Sequence, residues 1–183
     1  PSSIANILEK ETPDRTVTTN VAISETITPA DQNELIAVVA DCFSRETAIY
    51  PLGGGTSLDY GLPAKREGIG LSLSNLPDVV DFPARDLTIT VEAGITMQQL
   101  SDKLASESLM LPIDVPQPQT ATLGGVIATN FNGPRRYGHG SVRDYVIGIA
   151  AVDGRGRPFR GGGRVVKNVA GYDFCKLLTG SLG

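Results

Sequence analysis

The stretch PLGGGTSLD, residues 51–59, follows directly on the β-like run TAIYPL and limits the possible folds more than any other segment. Glycine loses more conformational freedom on folding than any other residue, so three in a row are kept only for a tight turn or a close approach to the backbone. Glycine is the outlier along the whole chain: 21 of 183 residues, about 11% against an average usage of roughly 7%. The excess gathers at 53–55, 124–125, 138–140, 154–156 and 161–163, between apolar segments and with no collagen-like period. These are site-building loops in a globular chain long enough to bury a proper core.

The segments between the loops carry readable periodicity. In TPADQNELIAVVADCFSRE, Leu35, Val38, Val39, Cys42 and Phe43 share one face of an amphipathic helix. TAIYPL and IGLSL (69–73) read as strands, and VVDFPARDLTITVEAG as two strands around a proline-containing turn. TMQQLSDKLASESL predicts a second helix with Met97, Leu100 and Leu104 inward. MLPIDVPQPQTATLGG, with three prolines, runs extended. TLGGVIATN opens a short helix with Thr122 as N-cap, DYVIGIAAVDGRGRPFR signals a β-hairpin, and KNVAGYDFCKLLTGSLG reads as a loop and a short helix. The order is α+β, not regular βαβ alternation. Residues 1–27, polar and Thr-rich, are expected to be an irregular lead-in.

Charge and cysteines narrow the function. From Arg135 onward nine Lys/Arg face three Asp, a balance of +6, while the first 134 residues carry 7 basic and 17 acidic groups. A basic, glycine-rich C-terminal third suits a small phosphate-bearing ligand. The acidic whole, without interleaved aromatics, argues against nucleic acid. Cys42 and Cys175 stand alone, with no CxxC and no histidine partners, so neither metal nor redox-motif chemistry is supported. No stretch approaches the roughly 20 apolar residues of a transmembrane segment and no signal pattern is seen, which makes a cytoplasmic location the expectation.

Two standard phosphate motifs are absent: G-x-x-x-x-G-K-[ST] and G-x-G-x-x-G. What remains is a bare strand-to-loop junction. Gly53, Gly54 and Gly55 can turn consecutive N–H groups into one concavity, with the hydroxyls of Thr56 and Ser57 at its end. The alternative is a tight turn joining two strands. TATLGGVIATNFNG repeats the theme, with Gly124 and Gly125 at a helix start and the amides of Asn130 and Asn132 beyond; ordinary close packing is the competing account.

PLGGGTS, P-I-D (112–114), TLGGVIATNFNGPRRYGHGSVRDYVIG and VVKNVAGYDFCKLLTGS, in that order, resemble the PCMH-type FAD-binding domain of the vanillyl-alcohol oxidase flavoprotein superfamily. Within it the sequence is most similar to the FAD-binding subunit of bacterial glycolate oxidase and to FAD-linked D-2-hydroxyacid dehydrogenases. The resemblance covers roughly residues 28–183. It implies two α+β subdomains, about 28–110 and 111–183, with FAD between them. Gly53, Gly54, Gly55, Thr56 and Ser57 would hold the pyrophosphate. Thr122, Gly124, Gly125, Ala128 and Asn130 would line the second wall, with Ser141 and Val166 as further candidates.

The resemblance also implies an oxidoreductase that oxidises a small 2-hydroxy acid. Its partners would be a sister flavoprotein subunit and an iron–sulfur subunit, and these would bring it to the periphery of the inner membrane. A non-catalytic FAD-carrying relay or assembly subunit is the alternative, and the FAD domain of a cell-wall precursor reductase a more distant one. Some relatives attach FAD covalently through a histidine in or near the glycine loop. Thr56 stands there, so non-covalent FAD is expected, and the sole histidine, His139, lies elsewhere. Relatives continue beyond KLLTGSLG into a substrate domain, so truncation at the C-terminus is expected, and no catalytic residue is assigned.

Overall fold

The computed structural model describes residues 20–163 and 171–183. A three-stranded sheet comes first, built from β1 (Ile23–Ile27), β2 (Ala48–Leu52) and β3 (Gly68–Ser72) in the order β1-β3-β2. Both outer strands run parallel to β3, with Ile49 opposite Ile69 and Pro51 opposite Leu71. Helix α1 (Gln32–Ser44) is the crossover between β1 and β2. It starts where Asp31 accepts from the N–H groups of Asn33 and Glu34 at 2.8 and 2.9 Å. Val39 and Cys42 of α1 are buried, as are Ile69 and Leu71 of the central strand.

Two expectations are corrected here. Strand β1 falls inside the supposed lead-in. Its sequence, ISETI, is polar in the middle and only its end isoleucines are half-buried, so no alternation betrays it. The ladder to β3 and the Ser24 hydroxyl on Gly68 O hold it in place. Phe43 faces outward, 52% exposed, because α1 ends one residue later and its covered face is narrower than the periodicity suggested.

The larger core lies downstream. Strands β4 (Val79–Asp81) and β5 (Thr90–Val91) pair antiparallel, and α2 (Met97–Ala105) buries Met97, Leu100 and Leu104 behind a Thr96–Gln99 capping box. Helix α3 (Leu123–Thr129) and the short turns α4 (Arg136–His139) and α5 (Val142–Tyr145) follow. Ile95, Leu100, Ile113, Ala121, Val126 and Val142 meet in one cluster, with Val79, Phe82 and Val91 packed against it. This core draws on residues from both sides of the expected 110/111 division. The last unit is the hairpin of β6 (Gly148–Val152) and β7 (Pro158–Gly162), covered by α6 (Phe174–Leu178), with the Phe159 and Phe174 rings 5.4 Å apart. Among the described residues no helix is long and apolar enough to cross a membrane.

Candidate functional site

Because β2 and β3 are parallel, a tight turn cannot join them; the chain must return the full length of the strand, and residues 53–67 make that return. The glycine run is the first stretch of this connection, where the chain leaves the sheet. There it meets α3. A Cβ on Gly53 would overlap the Thr122 hydroxyl, and a Cβ on Gly54 would overlap the carbonyl oxygen of Thr120. Gly55 then turns to φ +71°, the left-handed region that glycine enters without cost.

Beside this seam opens a cleft of about 240 Å³, walled on one side by Gly53–Ser57 and on the other by Thr122, Gly125, Ala128 and Thr129 of α3. Tyr60, Leu62 and Leu182 close its ends. Within the described residues, no acceptor takes the backbone N–H of Gly53, Gly54, Gly55, Thr56 or Ser57, and the Thr56 and Ser57 hydroxyls have no partner either. Backbone donors in a packed protein are almost always paired with protein or water. Five consecutive ones without a protein partner stand here at half-buried and exposed positions beside the cleft.

The second wall behaves differently from expectation. The Leu123 N–H donates to Ile95 O at 2.9 Å, Gly124 N–H to Ala93 O at 2.9 Å, and Gly125 N–H to the Thr122 hydroxyl at 3.2 Å. The first three N–H groups of α3 are therefore claimed within the protein. Thr122 is buried and serves as the N-cap predicted for it. Gly124 is a packing glycine: a Cβ there would sit 2.8 Å from Ala93 O.

Among the described residues no charged side chain lines the cleft. Arg135 forks onto Asp114 with contacts of 2.8 and 2.6 Å, Arg157 pairs with Asp153 and Lys176 with Asp173. The Arg135 guanidinium lowers the Asp114 carboxyl below its usual range. Asp144 is held low by the Ser141 N–H and hydroxyl, both at 2.8 Å, so it caps α5 as a structural residue. Burial raises both cysteine thiols, Cys42 and Cys175.

Residues 24–162 match the family model described as FAD binding domain. The chain belongs to that family. It is 36% identical over 155 residues to D-2-hydroxyglutarate dehydrogenase of Xanthomonas citri pv. viticola, covering 85% of this chain and 33% of that protein. It is 34% identical over 150 residues to glycolate oxidase subunit GlcE of Escherichia coli (strain K12), covering 81% of this chain and 42% of that protein. The chain thus spans a third to less than half of the relatives' length. Among solved structures, alkyldihydroxyacetonephosphate synthase superposes with a TM-score of 0.71 at 21% identity, over 86% of this chain and 31% of that one. That likeness shows the α+β fold expected for an FAD-binding domain.

Within this FAD binding domain the predicted site residues divide clearly. Gly53, Gly54, Gly55, Thr56, Ser57, Thr122, Gly125 and Ala128 meet at one cleft, although their two segments lie far apart in sequence. Gly124, Asn130 and Ser141 do not line it. Asn130 is the left-handed C-cap of α3, at φ 50°, and its side-chain oxygen accepts from Asn132. Val166 lies outside the described residues. His139 is on the exposed turn α4, where its carbonyl accepts from the Tyr145 hydroxyl. Tyr60, Leu62 and Leu182 carried no signal in the sequence, because ordinary apolar residues reach the cleft only through tertiary packing.

Proposed function

We propose that the cleft cradles the diphosphate of a non-covalently bound FAD between the Gly53–Ser57 loop and the α3 face that carries Thr122, Gly125 and Ala128. The observation that carries this proposal is the row of unclaimed N–H groups beside a wall that comes too close for any side chain. A hydrogen bond to a charged acceptor contributes about 1.5–3 kcal/mol. Several such donors can therefore hold a dianion with no lysine or arginine among the described lining residues. The cleft lies below the roughly 300–1,000 Å³ of a complete small-molecule site. Its size suits the diphosphate and its immediate neighbours.

Bound FAD supplies the redox chemistry through its flavin ring, accepting electrons from a substrate. This chain's residues bind and orient it. For the whole protein we propose oxidation of a small 2-hydroxy acid, supported by relatives named as D-2-hydroxyglutarate dehydrogenase and D-lactate dehydrogenase. Two relatives are named as glycolate oxidase subunits. They support assembly with a sister flavoprotein, and we extend that to an iron–sulfur subunit and a cytoplasmic or membrane-peripheral complex. The absence of charged side chains among the described lining residues favours a second reading, a subunit that carries FAD and leaves substrate chemistry to a partner.

The test is to add FAD to the purified chain, pass it through gel filtration and record the visible flavin absorption. Retained flavin that acid releases supports the cradle; colourless protein refutes it. Reduction of the bound flavin by glycolate or D-lactate, in longer protein without partners, would then exclude the carrier reading.

A further inference from the structure

The connection from β2 to β3 does not end with its free donors. Past Ser57 it makes one more turn, closed by Tyr60 N–H on Ser57 O at 3.1 Å, and leaves large apolar side chains outside. Tyr60 is 62% exposed and Leu62 90% exposed, yet both line the cleft, as does Leu182. Gly61, at φ +96°, sits between the first two and against the third: a Cβ on it would lie 3.6 Å from Leu182 Cδ1. Single exposed apolar residues need no explanation, but a group of them beside a cleft marks a contact surface. This group adjoins the end of the donor row.

The backbone on both sides of Tyr60 is held from outside the loop. Asn20 Nδ2 donates to Asp59 O at 2.8 Å and to Gly61 O at 3.2 Å, so one side-chain amide grips the carbonyls of the residues before and after the tyrosine. An asparagine has two N–H donors, and Asn20 spends both here. Ala64 N–H then bonds to Asn20 O at 2.6 Å, which ties the far end of the loop to the same residue. The tyrosine itself gains nothing visible from this. Among the described residues its side chain makes no hydrogen bond and pairs with no other ring. Three hydrogen bonds thus fix the main chain around an aromatic side chain that has no partner of its own. A tyrosine loses little conformational freedom on binding, and a fixed, exposed one is a ready contact for another flat group.

We propose that Tyr60 stacks on one of the two flat heteroaromatic rings of the dinucleotide, with Leu62 and Leu182 at the ring's edge, and that Asn20 is the positioning residue that holds it there. The inference rests on the cleft being the FAD site. A diphosphate is served by N–H and hydroxyl donors and has no use for an apolar rim. A ring carried by that diphosphate does, and Tyr60 follows the last donor by a single turn. Stacking accepts any ring with a π-face, so the rim suits adenine and flavin alike, and the two are told apart by using them separately.

FAD is titrated into the full chain, and ADP and FMN are measured by the FAD they displace, with folding followed by far-ultraviolet circular dichroism and assembly by gel filtration. Tyr60→Ala removes an exposed side chain, should fold, and should weaken FAD about five- to a hundredfold. Tyr60→Phe keeps the ring and should bind like the wild type. An equal loss for ADP places adenine on Tyr60 and an equal loss for FMN places the flavin there; either supports the stack. Asn20→Ala should weaken FAD about two- to fivefold and add nothing in the Tyr60→Ala background. A merely structural Asn20 would add its loss in full, which would overturn the positioning role. Folded Tyr60→Ala with wild-type FAD affinity, a loss that neither fragment shares, or Tyr60→Phe as weak as Tyr60→Ala overturns the stack. Unchanged affinity with an altered oligomeric state assigns the rim to a second copy instead. Failure of the wild type to bind FAD overturns the cofactor reading itself, before any variant is compared.

Discussion

Replacing Gly54 by alanine adds one methyl group at the tightest point of the seam. Its carbon would overlap the Thr120 carbonyl oxygen and lie 2.5 Å from the carbonyl carbon, against 3.4–4 Å for an ordinary contact. The opposing backbone has no freedom to turn away, because Ala121 N–H is bonded to Gln117 O and Ala121 O to Met97 N–H, both at 2.8 Å. The loop must therefore withdraw by about 1 Å, and overpacking of this kind costs about 1–3 kcal/mol. If the withdrawal misaligns even one N–H aimed at the diphosphate, about 1.5–3 kcal/mol of binding is lost. That is about tenfold to a hundredfold in dissociation constant.

The assay is FAD titration by flavin fluorescence, alongside a thermal melt of the free protein. Gly55→Ala is the useful comparison. Position 55 has room for a Cβ, with nothing nearer than Leu58 Cδ1 at 3.9 Å, but its φ of +71° penalises any side chain. It should lose about 1–2 kcal/mol of stability through backbone strain alone. A folded Gly54→Ala protein that binds FAD as tightly as the wild type would refute both the close seam and the placement of the diphosphate.

Gly124→Val should lower the melting temperature through its collision with Ala93 O, so any loss of flavin follows unfolding and not a blocked wall; a stable variant with lost binding would contradict this. The Asp153 carboxyl is held at about 2, chiefly by the Arg157 side chain, below its usual value of 3.8. Its contribution is therefore complete above the usual value and is lost as pH falls through about 2. Asp153→Asn should melt earlier than wild type at neutral pH, and the gap should close on acidification across that window. Finally, with no charged side chain among the described residues that line the cleft, FAD affinity should change little between low and moderate salt; a steep salt dependence would contradict this.

Much of this was legible in sequence where a local rule governs. Met97, Leu100 and Leu104 repeat at helical spacing and are buried together, and Thr122 precedes its helix as a cap. The glycine loop was legible as a close-approach segment because few other purposes justify three glycines after a strand. What failed depended on partners distant in the chain. β1 exists because β3 accepts it, and its own five residues carry no pattern. Gly124 looked like Gly125, yet one packs on Ala93 and the other faces the cleft, a difference set by how α3 is pinned between Ile95, Ala93 and Thr122. Of the cations in the basic C-terminal third, Arg135, Arg157 and Lys176 are claimed by Asp114, Asp153 and Asp173, pairings that net charge alone does not reveal.

The cost of three glycines then has a distinct reason at each position. Gly53 and Gly54 are small because α3 and its approach leave no space for a side chain, and Gly55 is a glycine because the chain must reverse its curvature there. The pairing of β2 with β3 ends at Leu52, so the N–H groups of Gly53, Gly54 and Gly55 lie beyond the ladder. A fold that separated the walls would regain freedom to place side chains at 53 and 54, and would lose the alignment of the donors. On the proposed placement of the diphosphate, substitutions at the seam are expected to be felt first as loss of cofactor.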